Sequence, residues 1–161
     1  MRILPFATIL AMLVTAQPAV GATQIYIMRH LQKAEGSDPP LSPAGAAEAQ
    51  ELASLLGGSG TITAIFATQT QRAMDTAAPL AKRLGLTVLP YDPDASQNLV
   101  ETVKAMHGAV LIVGHSNTVP DLVTRFGGVP APVIGDEDYG TIFIVNPATH
   151  QVRQMQLTPA R

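Results

Sequence analysis

The run Ala109-Val110-Leu111-Ile112-Val113, followed at once by Gly114-His115-Ser116-Asn117, decides how this chain folds. A continuous apolar stretch of that length reads as a strand covered on both faces, the habit of a parallel strand inside an α/β sheet. The polar residues crowded behind it mark a ligand edge, because open α/β sheets bind beyond the carboxyl ends of their strands. Residues 24–28 (QIYIM) repeat the pattern and run into Arg29-His30. Residues 61–67 (TITAIFA) repeat it again and run into Thr68, with Arg72 one helical turn beyond. Residues 86–89 read as a short third strand, 141–145 as a later one, and 151–157 as a final edge strand.

Helical patterns fill the gaps. Ser42-Pro43 is an N-cap followed by proline at the first helical position, and Ala49, Leu52, Ala53 and Leu56 form the inward face of a helix ended by Gly57-Gly58. Residues 70–84 are helical by the spacing of Ala73, Ala77, Leu80 and Leu84, with a kink expected at Pro79. Residues 95–106 and 116–126 are the remaining helices, the last closed by Gly127-Gly128. Strands alternating with helices imply an α/β, three-layer sandwich with a mostly parallel central sheet and helices on both faces.

Composition narrows the function. A chain of 161 residues, 47% hydrophobic and 14% charged, is a single folded domain and not a disordered segment. The absence of cysteine excludes thiolate catalysis, cysteine-ligated zinc and a disulfide framework. A net charge of −2, with 4% aromatic residues and no Trp, argues against nucleic acid as a partner. The four histidines lack the spacing of a metal site, so neither metal nor cofactor is expected. His107, at a helix end, and His150, in a turn, read as structural. Residues 1–22 read as a cleaved export signal. Arg2 is the n-region, residues 3–14 are the apolar core, and Val20-Gly21-Ala22 is a small-x-small cut site, with cuts after Ala16 or Ala19 as alternatives. The apolar run is too short for a membrane anchor, so the expectation is a periplasmic or secreted protein with residues 23–161 as its one domain and no anchor after cleavage. Oligomeric state is not legible.

If the first, second and central strands are neighbours, Arg29, His30, Arg72 and His115 meet at one sheet edge. Such a cluster is costly unless an anion belongs there, and guanidinium groups are the preferred planar partners of phosphate oxygens. Helix N-termini near Thr68 and Ser116 would add backbone N–H donors.

In this order and context, IYIMRH (residues 25–30), LSPAGAAEAQELASLL (41–56), FATQTQRAMDTAAPLA (66–81) and VLIVGHSNTVP (110–120) resemble the histidine phosphatase (phosphoglycerate mutase-like) superfamily, most closely its short exported members. The resemblance implies His30 as nucleophile attacking phosphorus, with Arg29, Arg72 and His115 completing the phosphate pocket. The implied activity is metal-independent phosphoric monoester hydrolysis through a phosphohistidine, on a small phosphorylated substrate or a phosphoprotein. A neutral imidazole is a nucleophile near pH 7 once a backbone carbonyl holds its other nitrogen and selects the tautomer. Phosphoryl transfer then needs mainly positioning and charge stabilisation. A mutase is disfavoured, since the chain has no insertion large enough for a lid over a diphosphorylated intermediate.

The chain departs from the family pattern in several places. The usual Arg-His-Gly is Arg-His-Leu, and a bulky Leu31 beside the nucleophile is expected to narrow the pocket. Ala67-Thr68-Gln69-Thr70 replaces the usual Ser-Ser-Pro-Leu, with the Thr68 hydroxyl still able to donate to phosphate. Lys33 is either a further phosphate ligand or a solvated loop lysine. Asn117 either donates to phosphate or caps the helix, the second being preferred. The proton donor is open between Asp92, Asp94 and the loop Asp136-Glu137-Asp138, with Glu137 as its candidate. Two rival readings stand beside this one. Gly114-His115-Ser116-Asn117-Thr118 nearly matches a serine nucleophile elbow, with Ser116, Asp138 and His150 in α/β-hydrolase order. The same fold could also serve as a phosphate-binding module without turnover.

Overall fold

The computed structural model describes residues 22–58, 61–130 and 132–158. The expected export signal lies outside the described residues except for Ala22, which is the first residue of β1. Strands β1 (Ala22–Arg29), β2 (Ile62–Thr68), β3 (Val88–Tyr91), β4 (Gly108–Gly114), β5 (Thr141–Asn146) and β6 (Gln151–Gln156) alternate with helices α1 (Pro43–Gly57), α2 (Gln71–Leu84), α3 (Ser96–Lys104) and α4 (Val119–Gly127). The strands make one sheet in the order β3-β2-β4-β1-β5-β6. β4 lies between β1 and β2, and β1, β4, β2 and β3 are all parallel, so their carboxyl ends share one edge. β5 and β6 complete the sheet antiparallel.

Period-two alternation divides the core between two faces. Leu111, Val113, Ile65 and Met28 meet the apolar stripes of α1 and α2. Val110, Ile112, Ile25 and Ile27 meet Leu99 and Val103 of α3 and Leu122 and Phe126 of α4. The three-layer sandwich is therefore as expected, with each face carrying one helix pair. Ser42 caps α1 by accepting from the Gly45 N–H at 3.1 Å. α2 and α4 end on Gly85 and Gly128, both left-handed at φ 67° and 63°, a conformation that costs glycine nothing.

Several details differ from the sequence reading. β3 runs two residues further than expected and carries Pro90. It is the sheet's edge strand, where a missing N–H is tolerated. α4 starts at Val119, not Ser116, because residues 115–118 form a turn closed by the Val119 N–H on the His115 carbonyl at 3.0 Å. α2 continues through Pro79 to Leu84 without a break. Ala77, Leu80 and Ala81 are buried around the proline, and this packing outweighs the one backbone hydrogen bond that it removes.

Gly45 joins this frame to the segment following His30. A β-carbon there would collide with the backbone carbonyl of Gln32. Alanine is worth about 1 kcal/mol more than glycine in a helix interior, yet Gly45→Ala is expected to be net destabilising by about 1–3 kcal/mol, the usual cost of overpacking. A lowered urea midpoint with unchanged slope checks this; a raised midpoint would show that the loop yields freely.

Candidate active site

His30 follows β1 directly, and its backbone N–H donates to the Gly114 carbonyl of β4 at 2.9 Å. The sheet ladder therefore continues one residue beyond the strand and fixes the His30 backbone. The side chain is buried, at 3% exposure. Its Nδ1 lies 2.8 Å from the Leu31 carbonyl. A carbonyl can only accept, so Nδ1 carries the proton and Nε2 presents a bare lone pair. Arg72, in the first turn of α2, donates its Nε–H to that lone pair at 3.1 Å. His115, at the end of β4, stands edge-on to His30 with ring centroids 5.4 Å apart. Its Nε2 is 2.8 Å from the buried Thr68 hydroxyl at the end of β2.

Charge is unbalanced here. Burial, with Arg72, His115 and Arg29 close by, pushes the His30 pKa down to about 4 despite the bond to the Leu31 carbonyl. Burial and the same two arginines lower that of His115. Near pH 7 His30 is therefore neutral, as a nitrogen nucleophile must be. Asp38 makes the one ion pair to the cluster among the described residues, 3.5 Å from Arg72. At 57% exposure it is a weak partner. The same carboxylate oxygen accepts from the Gln71 N–H at 3.0 Å, so the first free donor of α2 is already capped.

Arg29 is turned differently from the expected pocket ligand. One of its terminal nitrogens donates to the carbonyls of Gly135 and Asp136, each at 2.8 Å, and of Asp138 at 3.4 Å. Its guanidinium carbon lies 4.3 Å from the centre of the Tyr139 ring. Only its Nε, buried, has no partner among the described residues. Arg29 thus ties the loop 135–139 to the site. The sequence reading missed Tyr139, whose ring centroid is 6.0 Å from that of His30. It precedes β5, and an antiparallel β5 begins at the edge where β1 ends, which the sequence alone does not say. Asp38 and Thr76 were also missed; the Thr76 hydroxyl accepts the Leu31 N–H at 3.0 Å.

Leu31 does not narrow the pocket. It is fully buried in the core against α1 and α2, so its bulk serves packing. Asn117 is exposed and does not cap α4. The residue at the cap is Thr118, whose hydroxyl accepts from the His115 N–H at 2.9 Å. Lys33 is exposed and pairs by backbone with Leu41. None of the proton-donor candidates bonds through its side chain to either imidazole among the described residues. Asp92 and Asp94 are exposed after β3, and the Asp92 carboxylate accepts from the Asp94 N–H at 2.9 Å. Glu137 is exposed in the loop whose backbone holds Arg29. The serine-hydrolase arrangement fails on topology. His150 lies in the β5–β6 turn, and Val145 pairs with Ile25, so that turn is at the opposite sheet edge from Ser116. His107 lies at that far edge too, just before β4. No group of three His, Asp or Glu side chains is placed to hold a metal among the described residues.

Comparison with known proteins bears on the family and the fold. The histidine phosphatase superfamily (branch 1) model matches residues 25–96. The protein histidine phosphatase SixA complexed with tungstate superposes with a TM-score of 0.61 at 25% identity, covering 83% of this chain and 96% of that one. A mycobacterial glucosyl-3-phosphoglycerate phosphatase with inorganic phosphate gives 0.62 at 18% identity over 83% and 95% of the two chains. The structure called mycobacterial hydrolase 2 gives 0.64 at 16% over 86% and 92%. The last two speak to the fold alone. No curated protein sequence matches the chain. The resemblance to the histidine phosphatase superfamily read from the sequence is matched by that family model and by the fold.

A depressed histidine pKa has a definite sign. Between pH 4 and 6.5 the unfolded chain binds the proton that folded His30 refuses, so this contribution to stability is complete above about pH 6.5 and lost as pH falls toward 4. Ring-nitrogen NMR of the free protein is expected to keep His30 neutral through pH 5, with its inflection near 4. An inflection at 6.5 would show a solvated, uncharged surrounding.

Proposed function

We propose that this chain is a phosphatase that hydrolyses phosphate monoesters or phosphorylated side chains through a phosphohistidine on His30. One observation carries the reading: a neutral buried imidazole with Nδ1–H held by the Leu31 carbonyl and an Nε2 lone pair aimed at a guanidinium. An arriving phosphate oxygen takes over the Arg72 N–H, which releases the lone pair next to phosphorus. Arg72, His115, Thr68 and the unpartnered Nε of Arg29 then surround the three equatorial oxygens with donors aimed where charge is held. Nε2 attacks, the leaving oxygen departs, and water resolves the phosphoramidate. Two guanidinium groups supply the positive charge, so turnover without metal belongs to the same proposal.

The neighbour named as the protein histidine phosphatase SixA supports a phosphorylated substrate. Residues 1–22 support export to the periplasm or the medium. A phosphate-binding module without turnover is the second reading, favoured only by the lack, among the described residues, of a carboxylate bonded to either imidazole.

Brief reaction with labelled p-nitrophenyl phosphate in EDTA-containing buffer is expected to leave acid-labile, alkali-stable label on the wild type and none on His30→Ala. Phosphate binding without label or turnover would establish the binding module, and alkali-labile label would exclude the histidine. Arg72→Ala is expected to lower kcat/KM about 10²–10³-fold, the scale of one lost transition-state donor. A change under threefold would remove Arg72 from the pocket.

A further inference from the structure

The site as described has a nucleophile, an anion pocket and no carboxylic acid in contact with either imidazole. Expelling an alkoxide from phosphorus without a proton is slow, so a site built for ordinary monoesters needs a proton donor within reach of the leaving oxygen, which lies across phosphorus from the nucleophile. The acids near this edge each have another partner or stand exposed in this structure. Asp38 is committed to Arg72 and the Gln71 N–H. Asp92 is turned to its own 3₁₀ turn. Asp138 accepts from the Gly135 N–H at 2.7 Å. Asp94, Asp136 and Glu137 are exposed, with no side-chain bond to the cluster.

Tyr139 is built in differently. Its ring and that of His115 each contact the His30 ring, at 6.0 and 5.4 Å between centroids. Its hydroxyl is 3.4 Å from a terminal nitrogen of Arg29, and the Arg29 guanidinium lies over its ring. Its backbone is held as well. The Gln156 side-chain N–H donates to the Tyr139 carbonyl at 2.7 Å, and the next residue, Gly140, has φ 78°. A β-carbon at Gly140 would press on the same Gln156 amide at 2.8 Å, so the turn that sets the ring in place requires glycine. A phenolic hydroxyl both accepts and donates, so it can accept from Arg29 and still present its own O–H.

We propose that Tyr139 is the general acid of this site, giving its proton to the leaving oxygen of alkyl phosphates; this rests on the phosphatase reading above. In the first half-reaction the His30 Nε2 lone pair forms the N–P bond and the P–O bond breaks. The leaving oxygen keeps that electron pair and takes the Tyr139 proton, leaving a phenolate against Arg29. In the second, water oxygen bonds to phosphorus, the N–P pair returns to Nε2, and the phenolate takes a proton from the water. Inorganic phosphate leaves with the site restored.

Tyr139→Phe keeps the ring over Arg29 and removes only the hydroxyl. The test compares kcat/KM of wild type and variant on p-nitrophenyl phosphate, whose leaving group needs no acid, and on an alkyl phosphate, whose leaving group does. The expected result is a change under threefold on the first and a loss of about 10²-fold or more on the second. Equal losses on both would assign Tyr139 a positioning role, and no loss on either would exclude it; both outcomes overturn the proposal. So does a wild type that hydrolyses the aryl ester and no alkyl phosphate. If the variant fails to fold, the wild type alone decides. A normal solvent deuterium isotope effect on alkyl phosphate hydrolysis, absent on the aryl ester, supports the acid, and its absence on both refutes it. Failure of the phosphatase reading is seen separately, as p-nitrophenyl phosphate turnover that is missing or indifferent to His30→Ala.

Discussion

Everything at this site depends on an excess of positive charge that the protein does not neutralise internally. Two guanidinium groups and two imidazoles gather at one sheet edge, and the one ion pair made to them among the described residues is with an exposed aspartate. Such an arrangement destabilises a fold unless its charge is kept low, and the imidazoles keep it low by staying neutral. The condition that makes the cluster tolerable also leaves Nε2 of His30 nucleophilic and the guanidiniums ready for an anion. Stability and chemistry are met by one set of protonation states.

The fold supplies this cluster at small cost because parallel strands deliver their ends together. β1, β2 and β4 are neighbours, so Arg29-His30, Thr68 and Gly114-His115 are adjacent though remote in sequence. The first turn of α2 adds Arg72 beside Thr68. Extending the ladder by the His30 N–H to Gly114, and anchoring the Leu31 N–H on Thr76, holds the backbone on both sides of the imidazole bond to Leu31. Leucine in place of a small residue after the nucleophile follows from the same geometry. The chain turns down into the α1–α2 core at that point, and a buried apolar side chain there packs the segment that orients His30.

Arg29 has a double position. One terminal nitrogen gathers the carbonyls of the 135–138 turn, the other donates to the Tyr139 hydroxyl, and its face stacks on Tyr139, while its Nε is buried without a partner among the described residues. A guanidinium with five donors can hold a loop and still direct one N–H elsewhere. The loop from Gly135 is thereby bound to the nucleophile's own strand, and Tyr139 is delivered against His30 from a segment with no strand or helix of its own.

The strands and helices were legible because burial on two faces leaves continuous apolar runs such as residues 109–113, and helix faces leave their spacing in Ala49, Leu52, Ala53 and Leu56. The residues at the strand ends were legible for the same reason, since polar side chains directly behind a buried run stand where a parallel sheet opens to its ligand. Pro90 hid the end of β3, because a proline is acceptable only if the strand is at an edge, and edge position belongs to the sheet order. Where Leu31 points, which of Asn117 and Thr118 meets α4, and on which edge His150 lies all depend on direction in space. No local pattern encodes direction. By itself the sequence determined the layers, the strand ends and the chemical types gathered there. Only the tertiary structure decided that β5 runs antiparallel, and with it that Tyr139 faces His30 while His150 is carried to the far edge, because strand polarity is set by long-range pairing that leaves no periodicity in the chain.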